Sequence, residues 1–96
     1  MRIIMIRSFA CQDTQNLYQG MRVARFANIE SVAQRKLQML ESAVVLGDLK
    51  SPPGNRLEQL HGNRNGQHSI RINDQWRVCF RWTAAGPEDV EITDYH

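Results

Sequence analysis

The sequence predicts an α+β domain in which two N-terminal helices pack on a small antiparallel β-sheet. Three observations carry that prediction. Apolar residues (Ile29, Ala33, Leu37, Leu40, Val44) recur at helical spacing within positions 28–46, leaving Gln34, Arg35, Gln38 and Glu41 mainly on the other face. Within positions 69–82 apolar and polar residues alternate, with Ile70 and Ile72 followed by Trp76, Val78, Phe80 and Trp82, the period of strands that bury one face. A second alternation sets Val90 and Ile92 against Glu91, Thr93 and Tyr95 and marks a last strand that ends with the chain.

Taken in order, Ile3, Ile4 and Ile6 with Phe9 form a β-branched run that reads as an N-terminal strand. Asp13 and Thr14 are helix-capping residue types and Gly20 is a helix stop, so one short helix fits between them. The longer helix is expected over residues 28–46, capped by Asn28 and ended by Gly47. Met39 and Val45 widen its apolar stripe, which suits packing on a sheet. Residues 49–67 are rich in turn formers, in Ser51-Pro52-Pro53-Gly54-Asn55 and again in His61-Gly62-Asn63-Arg64-Asn65-Gly66. So long a connection in so small a domain is expected to be functional or partly structured, with Leu57 and Leu60 holding its middle to the core.

The hairpin register follows from burial. A two-residue turn at Asn73-Asp74 would set Arg71 against Trp76 and put charge on the apolar face. A three-residue turn, Asn73-Asp74-Gln75, pairs Ile72 with Trp76 and Ile70 with Val78, and is the expected one. It also sets Arg71 beside Arg77 on the opposite face, with Gln67 near Arg81. Directly opposed arginines repel unless an anion lies between or over them, which favours a phosphate-binding face over a merely solvated one.

The bulk numbers agree with one domain, residues 1–96, that is 42% hydrophobic and 23% charged. No apolar run approaches the roughly 20 residues of a membrane span, and the Met1–Arg7 opening is too short for a signal-peptide core. Cys11 and Cys79 lie far apart, and His61, His68 and His96 show no zinc-ligand spacing. The expectation is a reduced cytoplasmic protein without metal or cofactor. Net charge is only +2, but its distribution is uneven. Lys50, Arg56, Arg64, Arg71, Arg77 and Arg81 face only Glu58 and Asp74 within positions 50–82, and no lysine or arginine follows. The middle of the chain is the part suited to phosphate.

Three stretches carry a resemblance. They are Pro52-Pro53-Gly54-Asn55-Arg56-Leu57-Glu58, the run from Gly62-Asn63-Arg64 through Asn73-Asp74-Gln75-Trp76-Arg77 to Phe80, and the ending Val90-Glu91-Ile92-Thr93-Asp94-Tyr95-His96. With Ile6-Arg7-Ser8-Phe9, Asp13-Thr14 and Leu17 they resemble the HigB-type toxins of the RelE/ParE superfamily, the GraT-like members especially. The resemblance implies a RelE/ParE-like fold, an antiparallel sheet carrying two N-terminal helices on one side, and a place in a bacterial type II toxin–antitoxin system. It implies a ribosome-dependent mRNA endonuclease that halts translation. It further implies a helix-turn-helix, HigA-like antitoxin as partner, through which alone operator DNA is contacted. By the same resemblance Arg77 contacts the phosphate or transition state, and Asp94, Tyr95 and His96 match the terminal triplet tied to activity. In one departure, the position where some of these toxins carry a further histidine holds Glu58, with His61 nearby but out of register.

Metal-free RNA cleavage needs a base for the 2′-OH, an acid for the leaving 5′-oxygen and cations for charge growing on phosphorus. The expected catalytic set is Arg77, Asp94, Tyr95 and His96, with Arg56, Arg64, Arg71 and Arg81 binding RNA phosphates. Histidine titrates near neutral pH, so His96 is the acid or base and Asp94 orients it. Tyr95 either serves as a base, its phenol activated by arginines, or stacks on a nucleotide. Alternative readings are a ParE-like gyrase inhibitor, a non-catalytic ribosome- or RNA-binding protein, and an inactive toxin that serves as operon corepressor.

Overall fold

Helix α2 (Glu30–Ser42) lies across the sheet and buries Ala33, Leu37 and Leu40, as the spacing required, in a computed structural model that describes residues 5–94. It is shorter than expected at both ends. Asn28 is exposed and lies outside it, and Ile29 occupies the N-cap position with no side-chain cap. At the other end Gly47 is not the stop. Asp48 accepts the Val44 N–H at 2.9 Å and the Val45 N–H at 3.2 Å through one carboxylate oxygen, giving both amides partners outside the helix. The chain leaves at Ser42, and Val44 and Val45 turn to solvent, 63% and 57% exposed, rather than extending the apolar stripe. A 3₁₀ turn, Leu46–Lys50, follows and buries Leu49.

Helix α1 (Gln12–Tyr18) ends before Gly20, which sits at φ +90°, a conformation glycine adopts without steric cost. Its N-cap is Cys11, not Asp13. Thr14 is fully buried instead, and its hydroxyl accepts the Ile92 N–H at 2.9 Å, so the helix start is tied to the last strand.

The sheet is an antiparallel meander of β1 (Glu58–Gln59), β2 (His68–Arg71), β3 (Trp76–Thr83) and β4 (Gly86–Asp94), in that spatial order. Strand β1, a two-residue pairing inside the turn-rich connection, has too little sequence for a periodic signal. The hairpin has the expected three-residue turn. Ile70 pairs with Val78 and Arg71 with Arg77, while the Ile72 N–H donates to the Trp76 carbonyl at 2.9 Å. Asn73 sets that turn, its side-chain oxygen accepting the Gln75 and Trp76 N–H groups, each at 2.8 Å.

Of the expected N-terminal strand, Ile3 and Ile4 lie outside the described residues. The remainder runs along the free edge of β4 without forming a regular strand. The Arg7 N–H donates to Pro87 O at 2.7 Å, the Ala10 N–H to Val90 O at 3.0 Å, and Phe9 makes a parallel bridge with Val90. That segment and Thr14 cover an edge that would otherwise present unpaired backbone groups. The core lies between the helices and one sheet face, where Leu17, Phe26, Leu37 and Leu40 meet Ile70, Val78, Phe80, Val90 and Ile92. The connection is partly structured, as expected: Leu60 is buried and Leu57 packs against the core. Among the described residues no helix is long and apolar enough to cross a membrane.

Candidate functional site

The sheet face turned away from the helices is polar and is laid out in rows by the strand register. One row runs Glu58, Ser69, Cys79 and Glu91 across β1 to β4; the next runs Arg71, Arg77 and Thr93. The hairpin turn therefore brings Arg77 beside the end of β4, opposite Thr93. The sequence had suggested an open basic face. It is open at Arg71 and Arg56 but not at Arg77, which is only 8% exposed and lies beneath the segment 56–58 rather than beneath a helix.

The opposed arginines are accommodated by protein groups. Arg71 turns to the fully exposed carboxylate of Asp74. Arg77 donates from Nε to the Ser69 hydroxyl at 2.7 Å and from Nη2 to the Arg56 carbonyl at 2.8 Å, with the Glu58 carboxylate 3.9 Å away. Acceptors from the protein thus stand where the sequence argument had called for an anion. Arg64 crosses the outer face to Glu91 at 3.1 Å and Thr93 at 3.4 Å, and it also donates to Gln67 at 3.0 Å. Arg81 lies 3.6 Å from Asp89 in a partly exposed pair. The Arg56 side chain is exposed and makes no ion pair among the described residues.

The register does not put Asp94 on the face of Arg77. Asp94 pairs with Trp76, so its side chain has the parity of the helix-facing side, and it accepts a hydrogen bond from Gln75 at 3.1 Å. Tyr95 and His96, the rest of the expected catalytic set, lie outside the described residues. A shallow cleft lined by Arg22, Val23, Ala24, Ala27 and Glu30 contains no residue of the outer sheet face.

Burial governs the shifted proton affinities. It pushes the Cys79 thiol up, against smaller opposing effects from a Thr93 hydrogen bond and the Arg64 charge. It pushes Lys36 down, helped by the charges of Arg35 and Arg71. Ser69 and Asn55 were not singled out from the sequence, yet both are fully buried polar residues: Ser69 accepts from Arg77, and Asn55 directly precedes Arg56, whose carbonyl does the same. Ser69 was legible: with Arg71 opposite Arg77, it is the diagonal neighbour of Arg77 on the same face. Asn55 sits among turn formers and carried no such signal.

Two helices over an antiparallel meander, with a guanidinium cluster on the far face, is an architecture consistent with RelE-like toxins. The sequence model of the HigB-like toxins, described as RelE-like toxins of type II toxin–antitoxin systems, matches residues 7–96, and the chain belongs to that family. It is 48% identical over 56 residues to Toxin HigB-1 of Vibrio cholerae, covering 58% of this chain and 59% of that one. An uncharacterized protein of Haemophilus influenzae is 39% identical over 56 residues, 58% of this chain and 55% of the relative. The alignments thus span little more than half the length of these curated relatives.

Proposed function

We propose that this protein is the toxin of a type II toxin–antitoxin pair that cleaves mRNA on the ribosome. The reading is carried by Arg77, a nearly buried guanidinium that donates to the Ser69 hydroxyl and the Arg56 carbonyl beside the strand that leads to the C-terminal triplet. A charge already in place needs little reorganisation when negative charge grows on a phosphate. The 2′-OH attacks the adjacent phosphorus, the O2′–P bond forms, the P–O5′ bond breaks, and a proton is supplied to the departing O5′. Arg77 stabilises the crowded phosphate, with Arg71 or Arg81 assisting and Arg56 and Arg64 guiding the RNA backbone. His96 and Tyr95 move the protons, and Asp94 orients His96. No metal is required for this route. Membership in a toxin–antitoxin family supports a cognate HigA-like helix-turn-helix antitoxin that neutralises the toxin and carries it to operator DNA.

So few catalytic groups make a weak free ribonuclease, and the ribosome supplies the alignment of mRNA, a contribution worth up to about 7–11 kcal/mol in well-oriented systems. Purified protein is expected to cut mRNA bound to 70S ribosomes in the A site and to leave bare mRNA intact. Equal cleavage of both would remove the ribosome from the mechanism. Absence of any cut product, with ribosome binding retained, would favour a non-catalytic binding protein.

A further inference from the structure

Among the described residues Arg77 is gripped from two directions, by the buried Ser69 side chain and by the backbone of the turn that follows buried Asn55. On one side Nε donates to the Ser69 hydroxyl at 2.7 Å; on the other Nη2 donates to the Arg56 carbonyl at 2.8 Å. Acceptors at two different nitrogens of a planar group set its plane as well as its place. The Arg56 carbonyl reaches Arg77 from a residue in the left-handed region, φ 46° and ψ 56°, uncommon for a side chain of this size. Such a conformation persists where its surroundings over-determine it. The surroundings here centre on Asn55. Its amide nitrogen donates to Leu49 O at 3.1 Å and Ser51 O at 3.3 Å, and its amide oxygen accepts from Lys36 on α2. The Arg56 N–H donates to Pro53 O at 3.1 Å, closing the turn. Hydrogen bonds thus tie Asn55 to α2 and to the preceding turn, the peptide bond carries that anchoring to Arg56, and the Arg56 carbonyl and the Ser69 hydroxyl accept from Arg77. Glu58, 51% exposed, stands on the solvent side of the group.

We propose that Ser69 and Asn55 are positioning residues for Arg77, Ser69 by direct contact and Asn55 by holding the Arg56 carbonyl in place. The proposal rests on the nuclease reading for its consequence, since a guanidinium with a fixed plane favours the transition state over the bound substrate. Loss of the Ser69 hydroxyl should lower kcat and leave KM nearly unchanged.

The test pairs Ser69→Ala and Asn55→Asp with Arg77→Lys, assayed on mRNA-programmed 70S ribosomes. Ser69→Ala should lower kcat about tenfold or more, the scale of a hydrogen bond to a charged group, with KM within about twofold. In the Arg77→Lys background, where Nε is gone, Ser69→Ala should change kcat by less than about twofold. Equal proportional losses in both backgrounds would make Ser69 merely structural and overturn the proposal. A second readout needs no activity: hydrogen exchange of the Arg77 Nε–H, followed by NMR. Ser69→Ala and Asn55→Asp should each speed it about tenfold while backbone amides of β3 keep their protection. Unchanged Nε–H exchange in Ser69→Ala would also overturn the proposal. Wild-type protein that cuts no mRNA would instead sink the nuclease reading, and the NMR result would still decide the positioning.

Discussion

Buried polar side chains in this protein do work that their residue type alone conceals. Thr14 looked like a helix cap and is an acceptor for the last strand, its hydroxyl taking the Ile92 N–H at 2.9 Å. Thr14→Val keeps the shape and leaves that donor unmet, so the denaturant midpoint should drop by the equivalent of about 1–3 kcal/mol; an unchanged midpoint would mean the contact contributes nothing. Cys79 offers a second check. Burial raises its thiol, so the folded chain holds that proton to higher pH than the unfolded chain does. Its contribution to stability is therefore complete below the ordinary thiol pKa and falls as pH rises above it. Iodoacetamide at pH 8 should modify the partly exposed Cys11 and spare Cys79 until denaturant is added, as mass spectrometry of peptides would show.

The secondary-structure elements show where local pattern meets outside partners. Helix α2 ends five residues short of Gly47 because Asp48 binds the amides of Val44 and Val45. Its exit was illegible because the apolar period continues through Val44 while the competing carboxylate lies beyond the helix. Strands β2 and β3 were legible with their register, since a one-residue slip would set one of the two arginines, Arg71 or Arg77, on the apolar face. Strand β4 opens at Gly86, where φ is +126° and an added Cβ would lie 2.3 Å from the Met5 carbonyl oxygen. Gly86→Ala should push the N-terminal segment off the edge of β4. The expected signature is faster amide exchange at Arg7 and Ala10, with a stability loss of about 1–3 kcal/mol; unchanged exchange at both sites would contradict it.

For the molecule as a whole, the helices cover one side of the sheet and Arg77, on which the proposed chemistry centres, lies on the other, so the core and this guanidinium are separated by a single layer of strands. On the proposed reading, mRNA cleavage depends on the C-terminal triplet and antitoxin binding does not. His96→Ala, or a folded tag fused after His96, is expected to relieve growth arrest on expression while copurification with the antitoxin persists. Full toxicity from either form would take His96 out of the mechanism. Gyrase supercoiling should be unaffected by the purified wild-type chain, which separates this reading from a ParE-like one.

Helical and strand periods, the hairpin turn and the run of arginines are written along the chain, because each depends on neighbours a few positions away. They suffice for an α+β architecture, the face assignment of Ile70, Val78 and Phe80, and the pairing of Arg71 with Arg77. The burial of Arg77 is of another kind. Ser69 follows from the hairpin register, but the other acceptor is the Arg56 carbonyl, which is brought there by an aperiodic connection anchored on buried Asn55. Contacts of that sort exist only once the chain has folded, because a guanidinium selects acceptors by distance and direction in space, not by spacing in sequence.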